Sequence, residues 1–175
     1  MFSRITYRIW QSWKNLTASL SDQDREAIRQ VLSPQEYQLF RRMSEADQAH
    51  SFRVYRSLKT SGEVHPDLLT AALLHDAGKS GRTVPVWERT AAVLLKPFLK
   101  DSPDSPDEPL PAGLRRAVSL SRRHPDWGAD LAQDAGAGPL AVWLIRYHQS
   151  TPERFPGNDR ERELLVKLIQ ADNQN

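Results

Sequence analysis

Histidine and aspartate side chains recur where the sequence predicts the buried faces of helices. Five of them follow apolar residues at three-, four- or seven-residue spacing, which places them on core-facing stripes: His50, His75, Asp76, His148 and Asp172. A buried aspartate costs several kcal/mol unless its charge is compensated. Each histidine alone is explained by a hydrogen-bonded core residue, and each aspartate by an ion pair with arginine. A divalent metal ion held by imidazole and carboxylate groups explains the whole set together.

His124 and Asp76 differ from the other candidate ligands in their local sequence. His124 precedes Pro125, which disfavours helical geometry, so we expect it at a junction between helices over 112–123 and 126–135. Asp76 follows His75 directly, one turn before Gly78, where we expect the helix to end. Its two oxygens could bridge two metal ions. His65 has no apolar stripe behind it and is left out of the site.

The ordered motifs resemble the HD-domain superfamily of metal-dependent phosphohydrolases. The resemblance runs over about residues 45–173 and rests on HSFRV at 50–54, LLHDAGK at 73–79 and the late Ala171-Asp172. HPDWGA at 124–129 and YH at 147–148 occupy further histidine positions of the dinuclear members, which include bacterial dinucleoside-tetraphosphate hydrolases and cyclic-dinucleotide phosphodiesterases. Residues 149–157 lack the second histidine, the glutamate and the Gly-Tyr-Pro turn of the HD-GYP branch, which argues against cyclic di-GMP as substrate.

Carried over by position, the resemblance implies two metal positions that share one carboxylate. The first would be held by His50, His75, Asp76 and Asp172, and the second by Asp76, His124 and His148. Asp76 and Lys79 would be catalytic, and Lys79 and Arg53 would bind substrate. Arg53, together with Arg122, Arg123 and Arg146, lies near these histidines in sequence and could bind further phosphates, although a surface role suits each of the four better. Asp172 lies close to the end of its helix, where helices fray, so we expect the metal to hold it in place.

The implied activity is that of a metal-dependent phosphohydrolase or phosphodiesterase that uses a metal-activated water. Its substrate would be a nucleotide, a dinucleotide or a similar small phosphate compound. One or two divalent ions are expected, and manganese, iron, zinc, nickel and magnesium all stay open. The alternative is a non-catalytic HD module with a structural metal that binds a nucleotide or a protein partner, since Trp10 and Trp13 would suit an interface.

Helical spacing recurs almost throughout and no stretch alternates with period two, so we predict an all-α fold. A single HD-type helical bundle would occupy residues 33–175, preceded by a helical extension over 1–32. Within the bundle, 97–111 holds five of the twelve prolines and is predicted to be a loop insertion. The predicted helices run over 21–32, 45–60, 66–78, 87–99, 112–123, 126–135, 139–149 and 159–171, with a further helix starting in a capping box at Ser33.

Composition narrows the class of protein. The 175 residues are 39% hydrophobic and 26% charged, which is typical of a globular domain rather than a disordered chain. The absence of cysteine excludes disulfides, thiolate metal sites and a cysteine nucleophile. No apolar run reaches the length of a membrane span or a signal peptide, so we expect a cytoplasmic protein. The net charge of +2 favours anionic partners only weakly, and no stable nucleic-acid complex is expected; homo-oligomerisation stays open.

Overall fold

A computed structural model describes residues 19–80 and 112–175 of the chain. Within these ranges it contains seven α-helices, two short 3-10 turns and no strand, which confirms the all-α prediction there, and the helices form one compact body. The α-helices are α1 (Asp22–Arg29), α2 (Pro34–Arg41), α3 (Glu45–Thr60), α4 (Pro66–Leu74), α5 (Ala112–Asp134), α6 (Pro139–Tyr147) and α7 (Asp159–Gln174), and the 3-10 turns are Ala77–Lys79 and Pro152–Arg154.

Local sequence signals fix several of the helix ends. The Ser33 hydroxyl accepts a hydrogen bond from the Glu36 amide, while the Glu36 carboxylate accepts one from the Ser33 amide at 2.7 Å. This is the predicted capping box, and α1 and α7 begin with the same arrangement. Gly62 follows α3 with a φ of 90°, a left-handed conformation that favours glycine. These signals act over three or four residues, so the sequence alone predicts them well.

Helix α4 forms the centre of the bundle. All seven residues from Leu68 to Leu74 are buried, so this helix presents no polar face to solvent. It packs against α2, α3, α6 and α7. Helix α4 ends at Leu74, and the two residues that follow it, His75 and Asp76, lie in the interior of the bundle rather than at its surface.

The expected helix junction at His124 is wrong, since α5 continues through Pro125 without a break. Proline lacks the amide that would donate to the Ser121 carbonyl, four residues earlier, which normally ends a helix. Here the His124 ring supplies the missing donor, because its Nδ1 lies 3.0 Å from the Ser121 oxygen and 3.1 Å from the Leu120 oxygen. The side chain therefore keeps the freed carbonyl paired and the helix intact.

Three predictions fall on residues outside the described ranges: the helix over 87–99, the proline-rich loop over 97–111 and most of the N-terminal extension. The proposed boundary near residue 32 stays a prediction. Ile28 and Leu32, on its N-terminal side, are buried in the same core cluster as Leu39 and Phe40. Among the described helices, none is both long and apolar enough to cross a membrane.

Candidate metal centre

Six side chains that the sequence analysis singled out as metal ligands lie together in the bundle. They come from five helices or helix ends: His50 from α3, His75 and Asp76 after α4, His124 from α5, His148 after α6 and Asp172 from α7. The four rings form a row in the order His50, His75, His148, His124, with successive centroids 5.3, 5.1 and 5.2 Å apart. Residues distant in sequence thus share one polar pocket inside an apolar core.

Asp76 is the central acid of this cluster. One of its oxygens, Oδ1, lies 3.4 Å from His124 Nε2, and the other, Oδ2, lies 3.7 Å from His75 Nε2 and 2.6 Å from the Lys79 ammonium. Burial alone would raise the pKa of Asp76, but the positive charges of Lys79 and His75 hold it well below its usual range. Asp76 therefore keeps its negative charge although almost none of it reaches solvent.

Asp172 closes the other side of the row. Its Oδ1 accepts a hydrogen bond of 2.8 Å from His50 Nε2 and lies 3.5 Å from His75 Nε2. Burial would raise the pKa of this carboxyl, yet the hydrogen bond from His50 and the neighbouring His75 lower it. Helix α7 continues to Gln174, and His50 already fixes the carboxylate. The expectation that the metal holds Asp172 in place stays a prediction, and in the structure His50 also binds this carboxylate.

Three buried rings are oriented by carbonyl groups of their own helices. The Nδ1 atom of His75 donates to the Ala72 oxygen at 3.0 Å, and that of His148 donates to the Ile145 oxygen at 2.7 Å. Both carbonyls belong to the last turn of a helix, where no amide of the helix is left to pair with them. With the bond from His124 to Ser121, each ring holds its proton on Nδ1 and directs Nε2 into the cluster.

This orientation brings two Nε2 atoms face to face. His124 Nε2 and His148 Nε2 are 3.3 Å apart, and when both rings are neutral, with their protons on Nδ1, neither ring can donate to the other. Burial and the neighbouring His75 and His124 rings, which disfavour a further positive charge, lower the pKa of His148 to about 3, so its ring stays neutral at pH 7. Two neutral rings at this distance repel each other through their lone pairs, and a proton on His124 Nε2 or a metal ion bound by both nitrogens removes that repulsion.

The Nε2 atom of His75 also points into a buried environment. Its Nε2 is completely buried and makes no hydrogen bond, although carboxylate oxygens of Asp76 and Asp172 lie within 3.7 Å. Burial lowers the pKa of His75, but the negative charges of Asp76 and Asp172 outweigh that effect and raise it above its ordinary value. The surroundings of this nitrogen therefore favour a positive charge at the centre of the row.

The six side chains contain three overlapping groups in which one ligand atom from each residue lies within 4.8 Å of the others. These groups are His50–His75–Asp76, His75–His148–Asp172 and Asp76–His124–His148. Nitrogen and oxygen donors of this kind suit divalent transition metals or magnesium. In addition, α4 and α6 both end at the cluster, and the partial negative charge of a helix C-terminus also favours a cation. The described residues thus form buried clusters that can hold metal ions.

Two glycines allow the halves of the cluster to approach each other. Gly78, in the 3-10 turn after α4, packs directly on the backbone of α5. A Cβ atom added to Gly78 would lie 2.0 Å from the His124 oxygen and 2.6 Å from the Gly128 nitrogen. On the α5 side, a Cβ on Gly128 would lie 3.1 Å from the Gly78 nitrogen. This backbone contact determines the distance between Asp76, which precedes the turn, and His124.

The basic residues named from the sequence take up different positions. Lys79 contacts Asp76 and is a quarter exposed, so it reaches from the cluster to solvent. Arg53 is half-buried on α3, one turn after His50. Arg146 makes ion pairs with Asp126 at 3.1 Å and Asp130 at 2.7 Å, which tie α6 to α5. Arg122 and Arg123 lie in α5 just before His124.

One further histidine lies outside the cluster, and one amide side chain that the sequence did not indicate lies next to it. His65 is the residue before α4 and lies 4.0 Å from Asp67, at the opposite end of that helix from His75, so it does not belong to the cluster. Gln149 is exposed, and its amide nitrogen lies 3.4 Å from His124 Nε2. Its position directly after His148 was the only sequence signal for this proximity, because polar residues at helix ends are common.

Compared with protein-family models, curated proteins and solved structures, the chain shows no significant match to any of them.

Proposed function

We propose that the cluster holds one or two divalent metal ions and that the protein hydrolyses phosphate ester or anhydride bonds in a nucleotide or a related small molecule. The observation that carries the proposal is the pair of facing nitrogen atoms of His124 and His148, 3.3 Å apart with both ring protons turned away. A cation is the simplest partner for both atoms at once. The sequence resemblance to HD-domain phosphohydrolases supports the same proposed metal site and activity.

The donor set suits two neighbouring ions. His50, His75, Asp76 and Asp172 would hold the first ion, and Asp76, His124 and His148 would hold the second. The second set is one of the three groups of nearby ligand atoms, and His50, His75 and Asp76 form another, whereas Asp172 groups with His75 and His148. When bound, such ions supply Lewis acidity, which makes hydroxide accessible at neutral pH and offsets the charge of a phosphoryl group.

The charge of the site favours an anionic substrate once metal is present. Asp76 and Asp172 contribute two negative charges and Lys79 contributes one positive charge, so the cluster carries about one negative charge when its rings are neutral. One divalent ion reverses that sign, and a second ion makes the site strongly positive. A phosphate group then compensates the charge in a pocket that excludes much of the water.

Lys79 has a defined part in this proposal. Its ammonium is bound to Asp76 on one side and reaches solvent on the other, so it can bind a phosphate oxygen while it keeps its contact with the carboxylate. Lys79 would thus draw the substrate to the solvent-facing side of the cluster. Asp76, whose two oxygens face His75 and His124, would be the carboxylate shared by both metal positions.

The proposal is tested by metal loading followed by an activity screen. Chelator-treated protein is loaded separately with manganese, iron, zinc, nickel and magnesium, and the metal content per chain is measured by elemental analysis. Each form is then assayed against a phosphomonoester, a phosphodiester and a dinucleoside tetraphosphate. We expect His148→Ala to lose metal and activity. His65→Ala, which removes a histidine outside the cluster, should keep both.

Two results would contradict the proposal. Failure of the protein to take up any of these metals would contradict the proposed metal site. Protein that is fully loaded and cleaves none of the substrate classes would leave a metal site without hydrolysis and would favour the alternative, a non-catalytic module. That alternative was suggested by Trp10 and Trp13, which lie outside the described residues, and nothing within the described residues favours it.

A further inference from the structure

Arg53 carries a charge for which the described residues supply no counterion. It lies on α3 at the edge of the buried face, between Ser51 and Val54, which are fully buried, and the exposed Arg56. Its Nε atom is completely buried and makes no hydrogen bond. Within residues 19–80 and 119–175, no carboxylate pairs with its guanidinium.

A guanidinium in this position is costly without a partner. Arginine stays protonated at neutral pH, and although burial lowers the pKa of Arg53, it cannot neutralise the group. Transfer of an unpaired charge from water to a partly buried site is unfavourable, and the usual compensation is an opposite charge. The planar N–H groups of arginine match the paired oxygens of a phosphate or a carboxylate, which makes an oxyanion the fitting partner.

Arg53, and with it the oxyanion that it would bind, lies next to the metal cluster. Residues three apart on a helix are neighbours on its surface, so Arg53 lies beside His50, at one end of the row of rings. Lys79, in the 3-10 turn after α4, contacts the Asp76 oxygen that faces His75, the next ring in the row. Cationic side chains from two different elements therefore lie near the cluster.

We propose that Arg53 binds an oxyanion and that, if the proposed function holds, this oxyanion is a second phosphate group of the substrate. One phosphate would lie at the metal positions beside Lys79, and the other would lie beside His50 and pair with Arg53. The substrate class is then a compound with at least two phosphate groups, such as a dinucleotide or a phosphoanhydride. A simple phosphomonoester would leave Arg53 without a partner.

Anion binding is tested first without metal, so that the result does not depend on hydrolysis. Inorganic phosphate and pyrophosphate are titrated into chelator-treated protein at constant ionic strength, and binding is followed by calorimetry and by the shift in melting temperature. The variants are Arg53→Met, which removes the charge, Arg53→Lys, which keeps the charge without the planar group, and the matched control Arg56→Met on the same helix.

We expect pyrophosphate to bind wild-type protein and Arg56→Met equally. Its dissociation constant should be about 10- to 100-fold higher for Arg53→Met, as expected for the loss of a charge-assisted pair, with Arg53→Lys in between. Equal binding by Arg53→Met would overturn the proposal. Should Arg53→Met fail to fold, Arg53→Lys decides, and unchanged affinity in that variant also counts against a planar pair. In metal-loaded protein, where the first phosphate is also held, inorganic phosphate that binds as tightly as pyrophosphate would overturn the assignment to a second phosphate and indicate a site for free phosphate.

A second experiment uses the metal-loaded protein. For a substrate with two or more phosphates, Arg53→Met should raise KM about tenfold or more while kcat changes little. Cleavage of a phosphomonoester should be unaffected. An equal loss for both substrates would contradict a role specific to the second phosphate. Failure of all turnover in wild-type protein would refute the proposed function, whereas the metal-free titration would still decide whether Arg53 binds an anion.

Discussion

The substitution Gly78→Ala tests whether the backbone contact at the 3-10 turn determines the geometry of the cluster. The added Cβ would lie 2.0 Å from the His124 oxygen, 2.6 Å from the Gly128 nitrogen and 2.9 Å from the His124 carbonyl carbon. All of these are backbone atoms, so no side chain can rotate away to relieve the clash. The turn and α5 must therefore separate, and Asp76 must move away from His124 with them.

The size of this effect follows from the distances. Ordinary van der Waals contact begins near 3.4 Å, so the turn has to move by about 1.4 Å from the His124 oxygen. Overpacking of this kind costs about 1–3 kcal/mol, and rigid neighbours favour the upper end. A loss of about 3 kcal/mol lowers the melting temperature of a protein of this length by roughly 6–12 °C. Functional sites need their ligands placed within about 0.5 Å, so the same movement should prevent metal binding across the contact.

The assay combines thermal unfolding with metal analysis. Gly62→Ala serves as the control, because Gly62 has a φ of 90° and no atom within 4 Å of an added Cβ. That variant loses about 1–2 kcal/mol through backbone strain alone and should keep its metal. Gly78→Ala should lose both stability and the metal ion shared by Asp76, His124 and His148.

Three outcomes would count against this reasoning. Wild-type stability in Gly78→Ala would mean that the turn does not pack on α5 as closely as described. A destabilised Gly78→Ala with full metal content would mean that the contact does not control the distance between Asp76 and His124. Equal loss of metal in Gly62→Ala would attribute the effect to general instability.

Three further perturbations address separate parts of the centre. Asp76→Asn should reduce metal content to near zero and abolish the fall of about 5–10 °C in melting temperature that a chelator causes in metal-loaded wild-type protein; retention of metal would show that the ligand assignment is wrong. Metal binding should release protons and weaken as the pH falls, because the negative charges of Asp76 and Asp172 raise the pKa of His75 and its Nε2 must be unprotonated to bind a metal ion; calorimetry in two buffers of different ionisation enthalpy measures this, and no release would contradict it. Arg146→Ala breaks only surface ion pairs and should cost no more than about 1 kcal/mol in urea unfolding, with metal content unchanged; a larger loss, or a loss of metal, would indicate a role in the site.

Helical periodicity was sufficient to predict which faces point inward. It placed His75 and His148 on the core side, and both rings are buried. It also placed His50 and Asp172 there, where about a quarter of each side chain remains exposed because the two residues lie at the edge of the cluster. Periodicity describes one helix at a time, so it cannot tell the centre of a bundle from its edge.

Two features required information that the sequence does not carry locally. Proline at position 125 normally predicts a break, and the prediction failed because the ring of His124 reaches back to the Ser121 carbonyl. The close contact of Gly78 with Gly128 joins residues fifty positions apart. Small residues are common in both segments, and nothing in their spacing indicates which of them face each other.

The carbonyl bonds of His75 and His148 connect the loss of metal to the local opening of helices. Each ring pairs with the final turn of its own helix, so unwinding of that turn in α4 or α6 would also release a candidate ligand. Helix ends usually open first and exchange their amide hydrogens fastest. A bound cation would reverse that order here, since the ends of α4 and α6 could open only after the ion had departed. The rate at which metal leaves the protein would then set the upper limit for the rate at which these two turns exchange hydrogen.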